Sequence, residues 1–142
     1  LKHLARGERD GDRPMIEDQG FRERLASVEI ELKALEMTQL RVVAAEKNRK
    51  DKKPDPASSI LKIKGSQLQQ ATTQLLMELA GPAVFAAAPP GNAPNGIDDD
   101  LAGDLDWASP AAATYMNYRK VSIYGGSNEI QHNIVAKAIL GL

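Results

Sequence analysis

The apolar residues of this chain recur at intervals of three and four, the spacing that predicts amphipathic helices. The longest such run predicts a helix from about Gln19 to Asn48, ended by a charged cluster and Pro54. An apolar seam along one face is formed by Phe21, Leu25, Val28, Leu32, Leu35 and Val42. A second line at intervals of seven is formed by Ile30, Met37 and Ala44. We therefore expect this helix to contact neighbours on two sides.

The next helix is predicted from Pro56 to Leu79. Asp55 can accept the hydrogen bond of an N-cap, and Pro56 suits the first helical position. The apolar face is formed by Leu61, Leu68 and Leu75, with Ala71, Thr72 and Leu79. Gly65 costs a helix about 1 kcal/mol relative to alanine, which predicts a close contact with another helix there. The run from Ala80 to Pro82 is expected to end the helix.

Two shorter helices complete the helical pattern. One is predicted from Pro110 to Ser122, with Tyr115, Tyr118 and Val121 at helical spacing. The other begins after Gly125-Gly126-Ser127 and reaches the C-terminus. Its two apolar stripes are formed by Ile130, Ile134 and Ala138, and by Val135, Ile139 and Leu142. Apolar residues on two sides predict a packed helix and not a free tail.

The remaining segments lack helical periodicity. Residues 6 to 19 form a charged connection broken by glycines and a proline, and residues 84 to 107 form a flexible loop rich in proline, glycine and aspartate. Trp107, at the end of that loop, is expected to be a packed anchor. The only weak strand signal runs from Val121 to Tyr124. The sequence therefore predicts an all-α fold, an up-and-down four-helix bundle.

Composition narrows the function classes. The net charge of −1 does not favour a nucleic-acid binder, which needs a basic face. The absence of cysteine excludes disulfides and thiolate chemistry. No apolar run approaches the ~20 residues of a membrane span and no signal peptide is visible, so we expect a cytoplasmic protein. No metal site is predicted, because His3 and His132 lie far apart and the aspartates at 98–106 lack the glutamate of a calcium loop.

The first turn of the terminal helix is the candidate site. Gly125 and Gly126 have no side chains that would cover the backbone N–H groups of this turn, so these groups can bind an anion or the edge of a cofactor. Ser127 is placed to cap the helix, and Glu129 is placed to complement its dipole. The glycine pair is not a phosphate loop, because the required lysine and further glycines are missing.

This region resembles a known family. The run Tyr-Gly-Gly-Ser-Asn-Glu-Ile-Gln at 124–131, followed by Ile-Val-Ala-Lys at 134–137 and Leu-Gly-Leu at 140–142, looks like the C-terminal signature of the acyl-CoA dehydrogenases. The residues from Asp18 to Ala26 and from Leu79 to Pro82 are also similar to that family. The resemblance covers essentially the whole chain, as the C-terminal helical domain alone.

The resemblance implies a flavoprotein of three parts, in which residues 1–142 are the C-terminal bundle after a helical and a β-domain. FAD would bind between the β-domain and the bundle. A carboxylate base would take the α-proton of an acyl-CoA while the β-hydrogen leaves as hydride, and an electron-transfer flavoprotein would accept the electrons. Family members form oligomers, so a homo- or hetero-oligomer is expected. The chain would then be a fragment, colourless and inactive alone.

The resemblance also assigns site residues. It implies that Ser127 and Glu129 contact FAD and that Tyr124 and Gly126 shape the same turn. Gly125 occupies the position where many members carry the catalytic glutamate, so no catalytic residue is expected in this chain. Other members with glycine there carry the base on a preceding helix, which would place it before Leu1. A third possibility is a subunit without a base, working beside an active partner.

Two further segments match the family less closely. Residues 77 to 83 align with a segment that cradles the adenosine half of a neighbour's FAD, but they retain one glycine, Gly81, and lack the family's glutamine. An arginine near the FAD pyrophosphate falls between Arg9 and Arg13, without a choice between them.

Other functions stay open from the sequence. One alternative is a helical oligomerisation module with no enzyme attached, and another is a related flavoprotein such as an acyl-CoA oxidase or a nitroalkane oxidase. The two-sided apolar faces from Phe21 to Val43 and from Ile130 to Leu142 predict burial against another subunit.

Overall fold

The computed structural model of the chain describes residues 1–48, 55–82, 84, 107–108 and 110–142. The elements in chain order are α1 (Lys2–Gly7), β1 (Arg9–Asp10), β2 (Arg13–Pro14), α2 (Gln19–Asn48), α3 (Ala57–Ala80), α4 (Ala111–Tyr118) and α5 (Asn128–Val135). Two 3-10 turns, Met15–Glu17 and Arg119–Ser122, and a π-helical turn, Ala136–Leu140, complete the order. The predicted all-α class is confirmed, with the count of four main helices approximate.

The loop predicted from 84 to 107 lies outside the described residues except for Val84 and Trp107 at its two ends. None of the described helices is long and apolar enough to cross a membrane.

A short hairpin in the N-terminal connection was not predicted. Arg9 pairs with Pro14 and Asp10 with Arg13 in antiparallel register. Gly11 adopts a φ of 60° between them, and the Arg9 guanidinium donates to the Asp12 carbonyl at 3.0 Å. Strands this short and exposed carry no apolar alternation, so turn chemistry was their only signal. The weak strand signal from Val121 to Tyr124 does not correspond to a strand, because Val121 and Ser122 belong to the 3-10 turn Arg119–Ser122.

Helix α2 has the predicted limits. Asp18 provides its N-cap, because its carboxylate accepts from the Phe21 N–H at 2.6 Å. Phe21, Leu25 and Val42 are buried as predicted, but Leu32 is 56% exposed, so its place in the buried seam was wrong. The expected second contact line is likewise exposed in this chain at Ile30, Met37 and Ala44.

The described residues form two compact units, and α2 belongs to both. The first unit comprises Leu1–Ala26 and Ala71–Arg119, and the second comprises Ser27–Gln70 and Lys120–Leu142. Helix α2 therefore changes its packing neighbours after Ala26. Leu32 lies in the second unit and is exposed there, whereas Val42 of the same face and the same unit is buried.

The first unit has a small apolar core. Its buried members are Ala80, Val84, Ala108 and Ala111. Trp107 packs against them, which confirms the predicted anchor. Gly81, at a φ of 56°, ends α3 by donating to the carbonyls of Met77 and Glu78. On the predicted apolar face of α3, Leu75 and Leu79 are buried, whereas Thr72 is exposed and the neighbouring Thr73 is buried in its place.

The second unit buries Ile63 and Leu68 of α3, Val42 of α2 and Val121. Asp55 caps α3 through its carboxylate, which accepts from the Ala57 N–H at 2.9 Å. The close helix contact predicted at Gly65 is wrong, because a Cβ built there would meet nothing within 4 Å. Glycine is therefore tolerated at this position and not sterically required.

The C-terminal segment does not bury its apolar side chains against the described part of this chain. Its large apolar side chains are exposed at Ile130, Ile134, Ile139, Leu140 and Leu142. The helix changes from α to π geometry at Ala136 and ends at Gly141, whose φ is 72°. The periodicity identified an apolar helix correctly, but no described element of the chain covers these side chains, so the prediction that they pack against another subunit stays a prediction.

The contrast between Leu25 and Leu32 is directly testable. Leu25→Ala should lower the free energy of unfolding by about 2–5 kcal/mol, because it removes a buried side chain and leaves a cavity. Leu32→Ala, seven residues further on the same helix, should change it by no more than about 0.5 kcal/mol. Urea denaturation of the two variants at low protein concentration measures both values. Equal losses would contradict the burial described for α2.

Candidate functional site

The connection between the 3-10 turn Arg119–Ser122 and α5 depends on two glycines. Gly125 has a φ of 70° and Gly126 a φ of 83°, the left-handed region that glycine adopts without a steric penalty. A Cβ at Gly125 would meet nothing within 4 Å, whereas a Cβ at Gly126 would lie 2.6 Å from Gln131 Nε2. Gln131 Nε2 donates to the Gly125 carbonyl at 3.4 Å. The backbone conformation thus favours glycine at both positions, and a close contact adds to this at Gly126.

Ser127 is the N-cap of α5, as predicted. Its backbone is extended, and its hydroxyl accepts from the Ile130 N–H at 3.5 Å. Its carbonyl accepts from the Gln131 N–H at 3.0 Å, which begins the helical ladder. The serine therefore fixes the point at which the left-handed turn becomes a helix.

The carboxyl of Glu129 is exposed in the first turn of α5 and favours the ionised form. A hydrogen bond from the Ser127 hydroxyl is the largest cause that lowers the pKa of Glu129, followed by a hydrogen bond from its own backbone N–H. The charges of His132 and Lys62 lower this pKa further, and desolvation opposes the shift. An ionised carboxylate has only acceptor capacity, so Glu129 can meet a ligand only through a donor on that ligand.

A polar cluster lies on the α3 side of this turn. Lys62 Nζ donates to the Ser122 carbonyl at 3.0 Å and to Asn128 Oδ1 at 2.7 Å. The buried Ser66 hydroxyl donates to the Ile63 carbonyl at 2.8 Å and accepts from Asn128 Nδ2 at 3.0 Å. Both ends of the glycine turn are thereby tied to α3.

The backbone N–H groups of the turn itself are open. Within the described part of the chain, those of Gly125 and Gly126 donate to no protein acceptor. The side chains beside them leave the turn accessible, because Ile123 and Tyr124 are mostly exposed. The arrangement can therefore bind a group that offers hydrogen-bond acceptors next to donors.

The comparisons with known proteins identify the domain. A family model described as the acyl-CoA dehydrogenase C-terminal domain matches residues 1–140. The chain belongs to the acyl-CoA dehydrogenase family. No curated protein and no solved structure gives a match. The match extends over nearly all of this acyl-CoA dehydrogenase domain, including the glycine turn.

The structure brings the four residues expected to contact or shape a cofactor site into one turn. Tyr124, Gly126, Ser127 and Glu129 all lie between the 3-10 turn and the first turn of α5. Gly125, which the resemblance aligns with the family glutamate, lies in the same turn of this acyl-CoA dehydrogenase domain and presents no side chain. Their contact with FAD stays a prediction.

The two weaker matches lie in the first unit. Met77 packs against the apolar core, and Glu78 pairs with Arg24 at 2.5 Å, so both side chains already have protein contacts. Ala83 lies outside the described residues. Of the two candidate arginines, both lie in the hairpin, and the Arg9 guanidinium holds its turn by donating to the Asp12 carbonyl. A role for either in FAD binding stays a prediction.

Sequence reasoning missed Lys62, Ser66 and Asn128. A signal was present, because Lys62 interrupts the apolar run Ile60-Leu61-Lys62-Ile63 and Ser66 follows it by one helical turn. A cation on a largely apolar helix face indicates a specific acceptor.

Metal ligation has no support in the described ranges. No group of three or more His, Cys, Asp or Glu side chains there could hold a metal ion. The aspartates at 98–106 lie outside those ranges.

The two glycines should respond differently to alanine. Gly125→Ala should cost about 1 kcal/mol, because only the left-handed backbone opposes it. Gly126→Ala should cost only slightly more, because its Cβ meets the flexible end of the Gln131 side chain, which can move away at little cost. The additional cost should disappear in a Gln131→Ala background. Denaturation of the wild type, Gly126→Ala, Gln131→Ala and the double variant as a double-mutant cycle measures this, and an additional cost at Gly126 that persists in the Gln131→Ala background would contradict the described turn.

The protonation of Glu129 gives a second test. Because its folded-state pKa is depressed, the ionised form stabilises the fold above the ordinary glutamate pKa of about 4, and this contribution is lost as pH falls through the folded-state pKa. Ser127→Ala should raise the pKa of Glu129, since the hydroxyl is the largest cause of the shift. A carbon-13 NMR titration measures it, with Ser58→Ala, an exposed serine in the first turn of α3, as the control. An unchanged titration in Ser127→Ala would exclude the hydroxyl as the cause.

Proposed function

We propose that this domain works within an FAD-dependent acyl-CoA dehydrogenase subunit, as the C-terminal helical part of a larger flavoprotein. In this proposal it supplies FAD contacts and an oligomer interface, while domains outside residues 1–142 provide most of the substrate cavity. The substrate is an acyl-CoA thioester, and an electron-transfer flavoprotein accepts the electrons. The observation that carries the proposal is the glycine turn, with its two open N–H groups beside Ser127 and Glu129.

The donors and acceptors of the turn fit FAD. Its open N–H groups suit the phosphate or carbonyl oxygens of the cofactor. Ionised Glu129 suits the hydroxyl and amine donors of its ribityl, ribose and adenine groups, and it would repel the phosphates. As the N-cap of α5, Ser127 holds the first turn of that helix beside the proposed position of FAD. When bound, FAD supplies the hydride acceptor for the removal of hydrogen from the acyl chain.

The base for the α-proton must come from another residue. Gly125 has no titratable group, and Glu129 has a lowered pKa, which makes it a weaker base than an ordinary glutamate. We therefore propose that the base belongs to a segment outside this chain, such as the preceding helix of the same subunit. Gly125 equally favours a second candidate, a non-catalytic subunit that binds FAD or completes the interface beside an active partner.

The exposed apolar side chains fit an interface role in this proposal. The large apolar residues of the C-terminal segment, with Ile30, Leu32, Met37 and Leu40 on α2, remain exposed in the isolated chain. Surfaces of this kind commonly mark sites of protein association. A homo- or hetero-oligomer would cover them.

The FAD role is tested in the longer protein that carries this domain. Ser127→Ala should weaken FAD binding roughly tenfold, because the proposed hydrogen bond between the Ser127 hydroxyl and FAD is lost. Ser127→Thr keeps the hydroxyl and should bind within about threefold of the wild type. Fluorescence titration of apoprotein with FAD measures both constants, with Ser58→Ala as the matched control.

Three outcomes would oppose parts of this proposal. A wild-type protein that binds no FAD would exclude the flavoprotein function. A yellow preparation of the 142-residue chain alone would exclude the need for further domains. Rapid oxidation of the reduced flavin by oxygen would favour an oxidase of the same fold over a dehydrogenase.

A further inference from the structure

We infer that Lys62 is a positioning residue for the glycine turn. Its ammonium group holds both ends of the turn, so that the N–H groups of Gly125 and Gly126 stay directed at a ligand. The positioning of the turn stands on the hydrogen bonds of this chain alone. Its consequence for FAD binding rests on the proposed function.

The geometry places one cation between two acceptors on opposite sides of the turn. Ser122 ends the 3-10 turn before the glycines, and Asn128 begins α5 after them. Lys62 Nζ reaches the Ser122 carbonyl at 3.0 Å and Asn128 Oδ1 at 2.7 Å. A carbonyl at a helical C-terminus carries partial negative charge, so an ammonium group is a well-matched donor there.

The Asn128 amide lies between Lys62 and the buried Ser66 hydroxyl, whose Oγ is 3.2 Å from Asn128 Oδ1 as well as within reach of Nδ2. The ammonium group, which only donates, requires the amide oxygen on its side. Ser66 has one hydroxyl proton, and it donates that proton to the Ile63 carbonyl at 2.8 Å. Ser66 Oγ can then accept from Asn128 Nδ2 at 3.0 Å. With its nitrogen directed at Ser66, the amide of Asn128 presents its oxygen to Lys62. The clamp therefore has a rigid support on α3.

Few other contacts hold the residues between the two anchor points, among them a hydrogen bond from the Ile123 N–H to the Lys120 carbonyl at 2.9 Å. Ile123 and Tyr124 are 66% and 55% exposed, so they contribute little packing. Gln131 makes one long contact with the Gly125 carbonyl at 3.4 Å. Glycines lose more conformational freedom than other residues when they are ordered. A charge-assisted clamp at both ends opposes that entropy and keeps the turn preorganised.

The first test measures the motion of the turn in the 142-residue chain. In Lys62→Met, nitrogen-15 order parameters of the Gly125 and Gly126 amides should fall from about 0.85 to below about 0.6. Lys62→Arg keeps the charge and several donors, and should retain most of the order. Lys64→Met is the matched control, since its lysine lies two residues away on α3 and pairs with the partly exposed Glu31 at 3.0 Å.

Unchanged order parameters in Lys62→Met would overturn the inference. An equal loss in Lys64→Met would also overturn it, because that result would indicate a general loosening of α3. Asn128→Ala keeps Lys62 in place and removes its second acceptor. This variant provides the same test if Lys62→Met fails to fold, and unchanged order of the glycine amides in it would likewise contradict the clamp.

The second test measures FAD binding by the longer protein that carries this domain. Lys62→Met should raise the FAD dissociation constant about tenfold, and Lys62→Arg should restore it to within about threefold of the wild type. Unchanged FAD binding in a variant with a mobile turn would overturn the cofactor-positioning role. If the wild type binds no FAD, the proposed function fails, and the order parameters alone decide the role of Lys62 in the turn.

Discussion

One ammonium group joins the parts of the candidate site. Lys62 reaches the Ser122 carbonyl and the Asn128 amide, and these two acceptors bracket Tyr124 to Ser127, with Glu129 one residue beyond Asn128. The glycine turn needs such an external support, because its left-handed backbone makes few contacts of its own. Buried Ser66 in turn accepts from the amide of Asn128. The site is therefore organised from α3, although the residues that carry the family signature all lie in the C-terminal segment.

The limits of the long helices could be predicted because they depend on local chemistry. Asp18 and Asp55 cap α2 and α3 through backbone N–H groups two or three residues away, and Gly81 ends α3 in the left-handed conformation. The burial of individual side chains could not be predicted as well. Leu32 has the spacing of a seam residue but is exposed, whereas Val42 on the same face is buried. Periodicity defines a face, and tertiary packing decides where that face is covered.

The candidate site, too, could be predicted only where it depends on local sequence. Ser127 as an N-cap and the glycines as a turn follow from residue type and position alone. The contacts of Lys62, Ser66 and Asn128 connect residues more than sixty positions apart, and no local pattern specifies such pairs. The hairpin at Arg9–Pro14 was missed for a different reason. Its signal was local, but it consisted only of the short run Asp10-Gly11-Asp12. Resemblance to a family located the site, and only the structure revealed its support.

The chemistry of Glu129 argues for a separation between recognition and catalysis. Its hydrogen bond with Ser127 and the nearby cations lower its pKa, which favours the ionised carboxylate, a group that only accepts hydrogen bonds. The same interactions weaken it as a base, because proton removal is most efficient when the pKa of the base lies near the working pH. A carboxylate with a lowered pKa is therefore a good hydrogen-bond acceptor and a poor general base. Since Gly125 offers no carboxylate, the proposed reaction needs its base from a residue with a different environment, and the chemistry of this turn fits the binding of a ligand with hydrogen-bond donors better than proton removal.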